Sequence, residues 1–306
     1  MRILFIFLDG VGLGANDAES NPFARVHMPT LEASLGGHKM LAGVAPFVGE
    51  RASLFALDAG LGVAGFPQSA TGQAVLLTGV NVPAQIGEHY GPKPNPAIAR
   101  FIRNGTLFSR LLAAGKSAAL LNAYPARYFQ GVDSGKRLYS AIPLSVTSAG
   151  LPLFNKDDFF AGRALSADFT GEGWTEMLGF PDAPVLTPHA AGQKTASLAR
   201  AYDFSLFEYW ASDYAGHKQD MPWAIRQLNV LDDVLRGLLD AWDDSDGLIL
   251  ITSDHGNLED LSTRRHTDAP VPGLLFGSPE ARASFASGLT DLTRIAPAIW
   301  RCITGS

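Results

Sequence analysis

Short uninterrupted apolar runs, each closed by a glycine or an acidic residue, set the pattern of this chain. The first covers residues 3–8 and ends at Asp9-Gly10. A continuous run this short reads as a strand buried on both faces, the habit of a parallel sheet. Residues 247–252, rich in β-branched side chains, read the same way, as do 203–210 and 271–276. Helical spacing appears over 106–114, where Leu107, Leu111 and Leu112 share a side and Gly115 ends the run, and 117–121 then reads as a strand. The clearest helix is 222–242: Leu228, Leu231, Leu235, Leu238 and Leu239 form its stripe, and Pro222 suits its first turn. Ala70, Ala74 and Leu77 predict another helix starting near Ser69, and a last one covers about 291–302. Strands alternating with helices predict an α/β fold, a mainly parallel sheet sandwiched by helices. From 126 to 195 the periodicity weakens, and Gly, Pro, Asp and aromatic residues crowd in. That segment predicts a small inserted cap, or active-site loops, between core segments 1–125 and 196–306.

Composition narrows the class. With 306 residues, 46% of them hydrophobic, the chain can bury a sizeable core. A formal charge of −6 argues against a general nucleic-acid or anionic-membrane surface. Cys302 is the only cysteine, so an intramolecular disulfide and a thiolate metal site are both excluded. The apolar run at 3–8 is too short for a signal peptide's core, and no run approaches the roughly 18 residues of a membrane span. A soluble cytoplasmic protein is the expectation.

Chemistry gathers at the ends of the strands. Asp9 closes the first, Asp213 and His217 follow the strand at 203–210, Asp254 and His255 close the strand at 247–252, and His266 comes shortly after. Ligands collect beyond the carboxyl ends of strands in an open parallel sheet, so these segments are expected to converge. Spacing of four puts Asp213 and His217 on one helical face if a helix starts there. The adjacent Asp254-His255 is the sharpest signal, because a buried charge needs a partner. Three carboxylates with three imidazoles and no thiol suit two divalent cations and hydrolysis or transfer at a phosphate-like centre. Zn and Mn fit this donor set better than Mg.

The segments FLDGVGLG, SATGQAVLLTGVN, DYAGHKQD, TSDHGN and HTDAPVP resemble the signature segments of the alkaline phosphatase superfamily. They are most similar to its metalloenzyme branch, which includes cofactor-independent phosphoglycerate mutase and phosphopentomutase. The resemblance covers roughly 1–125 and 196–290 and leaves the middle uncovered. It implies one metal site of Asp213, His217 and His266, and another of Asp9, Asp254 and His255 beside the nucleophile. Two hydroxyls compete for that role, Ser69 and Thr71, and matching the segment to the family places Ser69 there. A hydroxyl at a helix N-terminus also lies in the positive field of the helix dipole. Gln73 stands where the mutases carry histidine, and Gln68 where alkaline phosphatases carry aspartate.

The expected function is therefore a two-metal phosphatase or phosphoesterase acting on a small phosphorylated substrate through a metal-activated serine and a phosphoserine intermediate. About 70 residues of insert are few for excluding water, as a mutase must, which favours hydrolysis. The alternatives are an intramolecular phosphomutase on a sugar phosphate or phosphoglycerate, and a metal-binding homologue without turnover. His89 and Lys93 in the loop after the Ser69 helix are candidates to reach the substrate, as are Arg127, Lys136, Arg137 and Arg163 in the insert.

Overall fold

The computed structural model describes residues 1–305. Its strands are β1 (Arg2–Leu8), β2 (Phe47–Val48), β3 (Ala52–Leu57), β4 (Ala118–Leu120), β5 (Ala123–Tyr124), β6 (Phe154–Asn155), β7 (Phe204–Tyr209), β8 (Gly247–Thr252) and β9 (Val271–Phe276). Seven of them form one sheet in the order β2-β3-β9-β8-β1-β7-β4, while β5 and β6 pair separately. β1 lies between β7 and β8, parallel to both, and β4 continues parallel beyond β7. β9 runs antiparallel to β8 and to β3, so β3 points the same way as the parallel set. The expected α/β architecture with a mainly parallel sheet is the one adopted.

The sheet is buried on both faces, as the uninterrupted apolar runs require. Ile3, Phe5 and Phe7 of β1 pack into one core, and Leu4, Ile6 and Leu8 into the other. The first core holds the helices Ser69–Thr78, Pro96–Arg103, Leu107–Ala113 and Ile295–Thr304. The second holds Pro188–Ala199 and the long helix Met221–Ala241. Those last two meet so closely that Gly192 and Gly237 each face backbone of the other helix, where a Cβ would collide.

The reversed direction of β9 has a simple cause. No crossover helix separates it from β8, so the chain must re-enter from the edge it left. The whole segment between these strands therefore stays on the edge where β1, β7 and β8 end. Between 126 and 195 the chain does two things. Ala141–Ser148 is a buried helix packed against the Ser69 helix and against Pro96–Arg103. Farther on, Phe159, Ala164, Trp174 and Ala183 gather with Ala123 in a small separate cluster. No helix among the described residues is long and apolar enough to cross a membrane.

Candidate metal centre

Each candidate ligand is set by a strand end or a helix start. Asp9 follows β1, and its N–H donates to Tyr209 O at 2.9 Å, continuing the β1–β7 ladder past the last strand residue. Gly10 turns the chain with φ +67°, and a Cβ there would lie 2.9 Å from the Cβ of Asp213. Asp213 and His217 stand one turn apart on the helix Ala211–Lys218, separated from β7 only by Trp210. Asp254 and His255 leave the end of β8, and His266 sits in the segment returning to β9. Ser69 is the first residue of its helix. Gly72, one turn on, lies against Asp254: a Cβ there would come within 2.7 Å of the Asp254 Cβ and 2.8 Å of its carbonyl oxygen.

All six ligand-type residues and Ser69 come together. His217 Nε2 is 3.3 Å and His266 Nε2 3.8 Å from the Asp213 carboxylate. His255 Nε2 is 3.4 Å from Asp9 Oδ1, 3.7 Å from Asp254 Oδ2 and 3.0 Å from Ser69 Oγ. Donor atoms of Asp213, His217 and His266 lie within 4.8 Å of one another, as do those of Asp9, Asp213 and His255. Asp213 thus faces both groups, and Asp254 lies at the fully buried floor. The rings of His255 and His266 stack at 3.7 Å.

The tautomers follow from the partners. His255 Nδ1 meets Gly256 O, His217 Nδ1 meets Arg264 O, and His266 Nδ1 meets Pro67 O, at 3.3, 2.8 and 2.9 Å. A carbonyl oxygen can only accept, so each Nδ1 carries a proton. Burial holds His255 and His266 below the ordinary imidazole value, which leaves their Nε2 lone pairs toward the carboxylates, whereas hydrogen bonding to Asp213 raises His217. An Nδ1 proton held by a carbonyl is the arrangement metal-ligating histidines require.

Charge in the site is unbalanced. Burial, then Asp254, Asp213 and Glu208, hold the Asp9 carboxyl well above the ordinary range. Burial and the neighbouring Asp213 push Asp254 to about 8. Burial and then His266 push His255 down to about 3, which keeps it neutral. Burial also opposes ionisation of Asp213, yet His217, His255 and the Asn257 amide outweigh it and hold this carboxyl at about 2. Three carboxylates this close cannot all ionise without counter-charge. Asp9 Oδ1 is moreover buried without a hydrogen-bond partner among the described residues. Imidazole Nε2 atoms aimed at crowded carboxylates, with an orphaned buried oxygen, fit divalent cations. Asp213, His217 and His266 would hold one, and Asp9, Asp254 and His255 another, with Asp213 near both.

Support for the ligands comes from Gln73 and from two residues the sequence motifs do not single out, Asn257 and Glu259. Asn257 Nδ2 donates to Asp213 Oδ1 at 2.7 Å, and Gln73 Nε2 to Asp254 Oδ2 at 3.3 Å. The buried Glu259 carboxylate accepts from Gly12 N and Asn257 N, both at 2.8 Å, and from the Thr267 hydroxyl. One side chain thereby ties the three segments carrying Asp9, Asp254-His255 and His266. The signal was Gly12 and Gly256, where a Cβ would strike this carboxylate. Thr71 directs its hydroxyl to Gln68 O and Tyr90 O, away from the centre. His89 bonds Gly60 O, and Arg163 is engaged by Asp158 at the surface. Arg127 and Lys136 are exposed. Lys93 is half-buried, with Glu208, Arg137 and Asp9 as charged neighbours.

Comparison with known proteins agrees with this picture. Residues 185–304 match the model of the Metalloenzyme superfamily. Over 112 residues the chain is 30% identical to the 2,3-bisphosphoglycerate-independent phosphoglycerate mutase of Paracoccus denitrificans. That stretch is 34% of this chain and 22% of the mutase, so the chain spans under a quarter of that relative's length. The fold resembles that of the alkaline phosphatase from the Antarctic bacterium TAB5, with a TM-score of 0.54 at 11% identity, covering 99% of this chain and 97% of that one. The PH0037 protein of Pyrococcus horikoshii also superposes with a TM-score of 0.54, at 14% identity over 100% of this chain and 97% of that one. The likeness to the metalloenzyme branch of the alkaline phosphatase superfamily read from the motifs is thereby borne out.

Proposed function

We propose that this chain, whose residues 185–304 match the Metalloenzyme superfamily, is a two-metal phosphoryl-transfer enzyme that hydrolyses small phosphomonoesters through Ser69. One observation carries the reading. Ser69 Oγ sits at a helix N-terminus, 3.0 Å from His255 Nε2, beside three carboxylates and two further imidazoles. The helix supports an anion there: the N–H groups of Thr71 and Gly72 go to Tyr90 O and Gln68 O, while those of Ser69 and Ala70 have no partner among the described residues. The other hydroxyl, Thr71, is held by main-chain carbonyls.

Two divalent cations, when bound, neutralise the carboxylates, lower the pKa of the serine hydroxyl and offset charge on the phosphoryl oxygens. Zn and Mn suit the three imidazoles. Ser69 Oγ attacks phosphorus in line, forming a Ser–O–P bond as the ester P–O bond breaks and the alcohol leaves. Water then attacks the phosphoserine, releasing phosphate and restoring the hydroxyl. The helix N-terminus stabilises the charge developing in both steps.

Hydrolysis is favoured by the modest size of 126–195, part of which, with Tyr128, Ala141–Ser148, Phe169 and Ala191, is drawn into the two cores. A mutase must keep water from the phosphoserine. The mutase names of the sequence relatives favour the second reading, in which another hydroxyl of the same substrate accepts the phosphoryl group. A phosphoester screen with Mn and Zn in parallel, reading both phosphate release and isomeric products, separates the two. Elemental analysis is expected to give two metals per chain. Metal-loaded protein that neither releases phosphate nor isomerises any ester would defeat both readings.

A further inference from the structure

A second polar cluster stands beside the metal centre, and nothing in the proposed chemistry uses it. Its focus is Glu208 in β7, opposite Phe7 of β1 and so one strand over and two residues back from Asp9. Leu206 packs in the same core as the Ser69 helix, so Glu208, two residues on, faces that side too. Only 8% of Glu208 is exposed. A carboxylate buried there is costly unless it is paired or fully hydrogen-bonded. Its backbone is fixed by Asn122, which donates to Glu208 O and accepts from Glu208 N, both at 2.8 Å. Its side chain accepts one hydrogen bond, from the Tyr124 hydroxyl at 3.3 Å.

Lys93 is held near this carboxylate, yet no ion pair within 4.0 Å joins the two among the described residues. A strong acceptor and a strong donor are therefore near neighbours without direct contact. Tyr124 and Tyr128 form one wall, their rings 4.4 Å apart, and the Arg137 guanidinium lies 5.3 Å over Tyr128. The Tyr128 hydroxyl is buried without a partner among the described residues, although the residue is only 8% exposed.

The mixture of signs selects the ligand. An anionic group would meet Glu208, and a cationic one would meet Lys93 and Arg137. A hydroxyl, which both donates and accepts, satisfies the carboxylate and the ammonium together. We propose that Glu208, Tyr124 and Lys93 form a leaving-group subsite selecting phosphomonoesters whose alcohol carries a free hydroxyl. The assignment rests on the phosphoryl-transfer reading given above. A site built to hydrogen-bond a hydroxyl strongly rejects an analogue lacking it, because its buried groups are then left unpaired.

The test compares glycerol 3-phosphate with propyl phosphate, which has the same three-carbon chain without the hydroxyls, and uses p-nitrophenyl phosphate as a general ester. The metal-loaded wild type is expected to favour glycerol 3-phosphate over propyl phosphate by about 100-fold in kcat/KM. In Glu208→Gln and Tyr124→Phe that ratio should fall below about 10. A wild-type ratio within about three-fold of unity, or a ratio unchanged in both variants, overturns the subsite. If Glu208→Gln fails to fold, Tyr124→Phe decides alone. Turnover of p-nitrophenyl phosphate without any hydroxyl preference overturns the subsite and spares the function. No turnover of any ester overturns the function. In that event saturation-transfer NMR judges the subsite: transfer to glycerol 3-phosphate that Tyr124→Phe abolishes supports it, and equal transfer in both proteins overturns it.

Discussion

Replacing Glu259 by alanine removes the one acceptor shared by three ligand-bearing segments. The residue is 3% exposed, so water does not readily take its place. The amides of Gly12 and Asn257, each 2.8 Å from the same carboxylate oxygen, lose their acceptor, and the Thr267 hydroxyl loses its own. A stranded buried donor costs about 1–3 kcal/mol, and the hydroxyl can rotate to another partner. Two stranded amides therefore cost about 2–6 kcal/mol. Burial raises the Glu259 carboxyl above its ordinary value, so removing the charge returns part of that. A net loss of about 3 kcal/mol is expected, a large share of the 5–15 kcal/mol typical of a folded chain. Glu259→Gln behaves differently. Its amide oxygen can accept both N–H groups while its NH2 donates to Thr267 Oγ1, so the loss stays under about 1 kcal/mol. Urea denaturation with and without metal measures the stability, and competition with a chelator measures metal affinity. Affinity is expected to drop by about 10–100-fold in Glu259→Ala, the usual effect of losing a group that orients ligands. An alanine variant within about 0.5 kcal/mol of wild type and with unchanged affinity would refute the brace. A glutamine variant as damaged as the alanine would show that charge, rather than acceptor geometry, matters.

Ser69→Ala is expected to abolish turnover while both metals stay bound. Thr71→Ala should keep the nucleophile and lose stability, since its hydroxyl serves Gln68 O and Tyr90 O; intact-mass detection of a phosphoenzyme in one and not the other checks the assignment. Gly72→Ala brings a methyl to 2.7 Å from the Asp254 Cβ, so a loss of about 1–3 kcal/mol is expected. A wild-type melting temperature in that variant would mean the Ser69 helix is not seated on Asp254. The metal-free chain should lose stability between pH 6.5 and 8. Folded Asp254, at about 8, and Glu208, at about 7, keep protons that the unfolded chain gives up near 3.8 and 4.5, so stability falls as pH rises. His255, held at about 3, acts oppositely, but its effect is complete by its ordinary 6.5. Thermal melts across this range, repeated with Mn, test the sign. A metal-free chain that gains stability toward pH 8 would contradict the burial of these carboxyls.

Residues that declare themselves by type and place were legible without coordinates. The strands at 247–252 and 271–276 and the start of the Ser69 helix fall where the apolar runs put them. Asp9, Asp254 and His255 follow their strands, and Asp213 and His217 share the helical face that a spacing of four requires. Other features depend on tertiary pairing and left little trace. β3 is an ordinary stretch, ASLFAL, that becomes a strand by pairing with β9. Ala141–Ser148 is buried along its first six residues, Ser145 included, so it lacks the one-sided stripe by which an amphipathic helix is found. Glu208 was hidden inside an apolar run, where a lone carboxylate gives no hint that Tyr124 awaits it from 84 residues away.

The central place of β1 bears on how the polypeptide is made. Its two neighbours in the sheet are β7 and β8, which begin about 200 and 240 residues later in the chain. At about 5–20 residues per second, the ribosome takes at least ~10 s between the strand that ends at Asp9 and the first strand able to flank it. For that interval β1 lacks both of the strands that flank it in the finished sheet. His266 emerges later still, so a nascent chain cannot assemble the full set of six ligand-type residues. If these residues hold metal as proposed, loading is a late event in biosynthesis, and a chain broken off before this point carries an incomplete set of ligands.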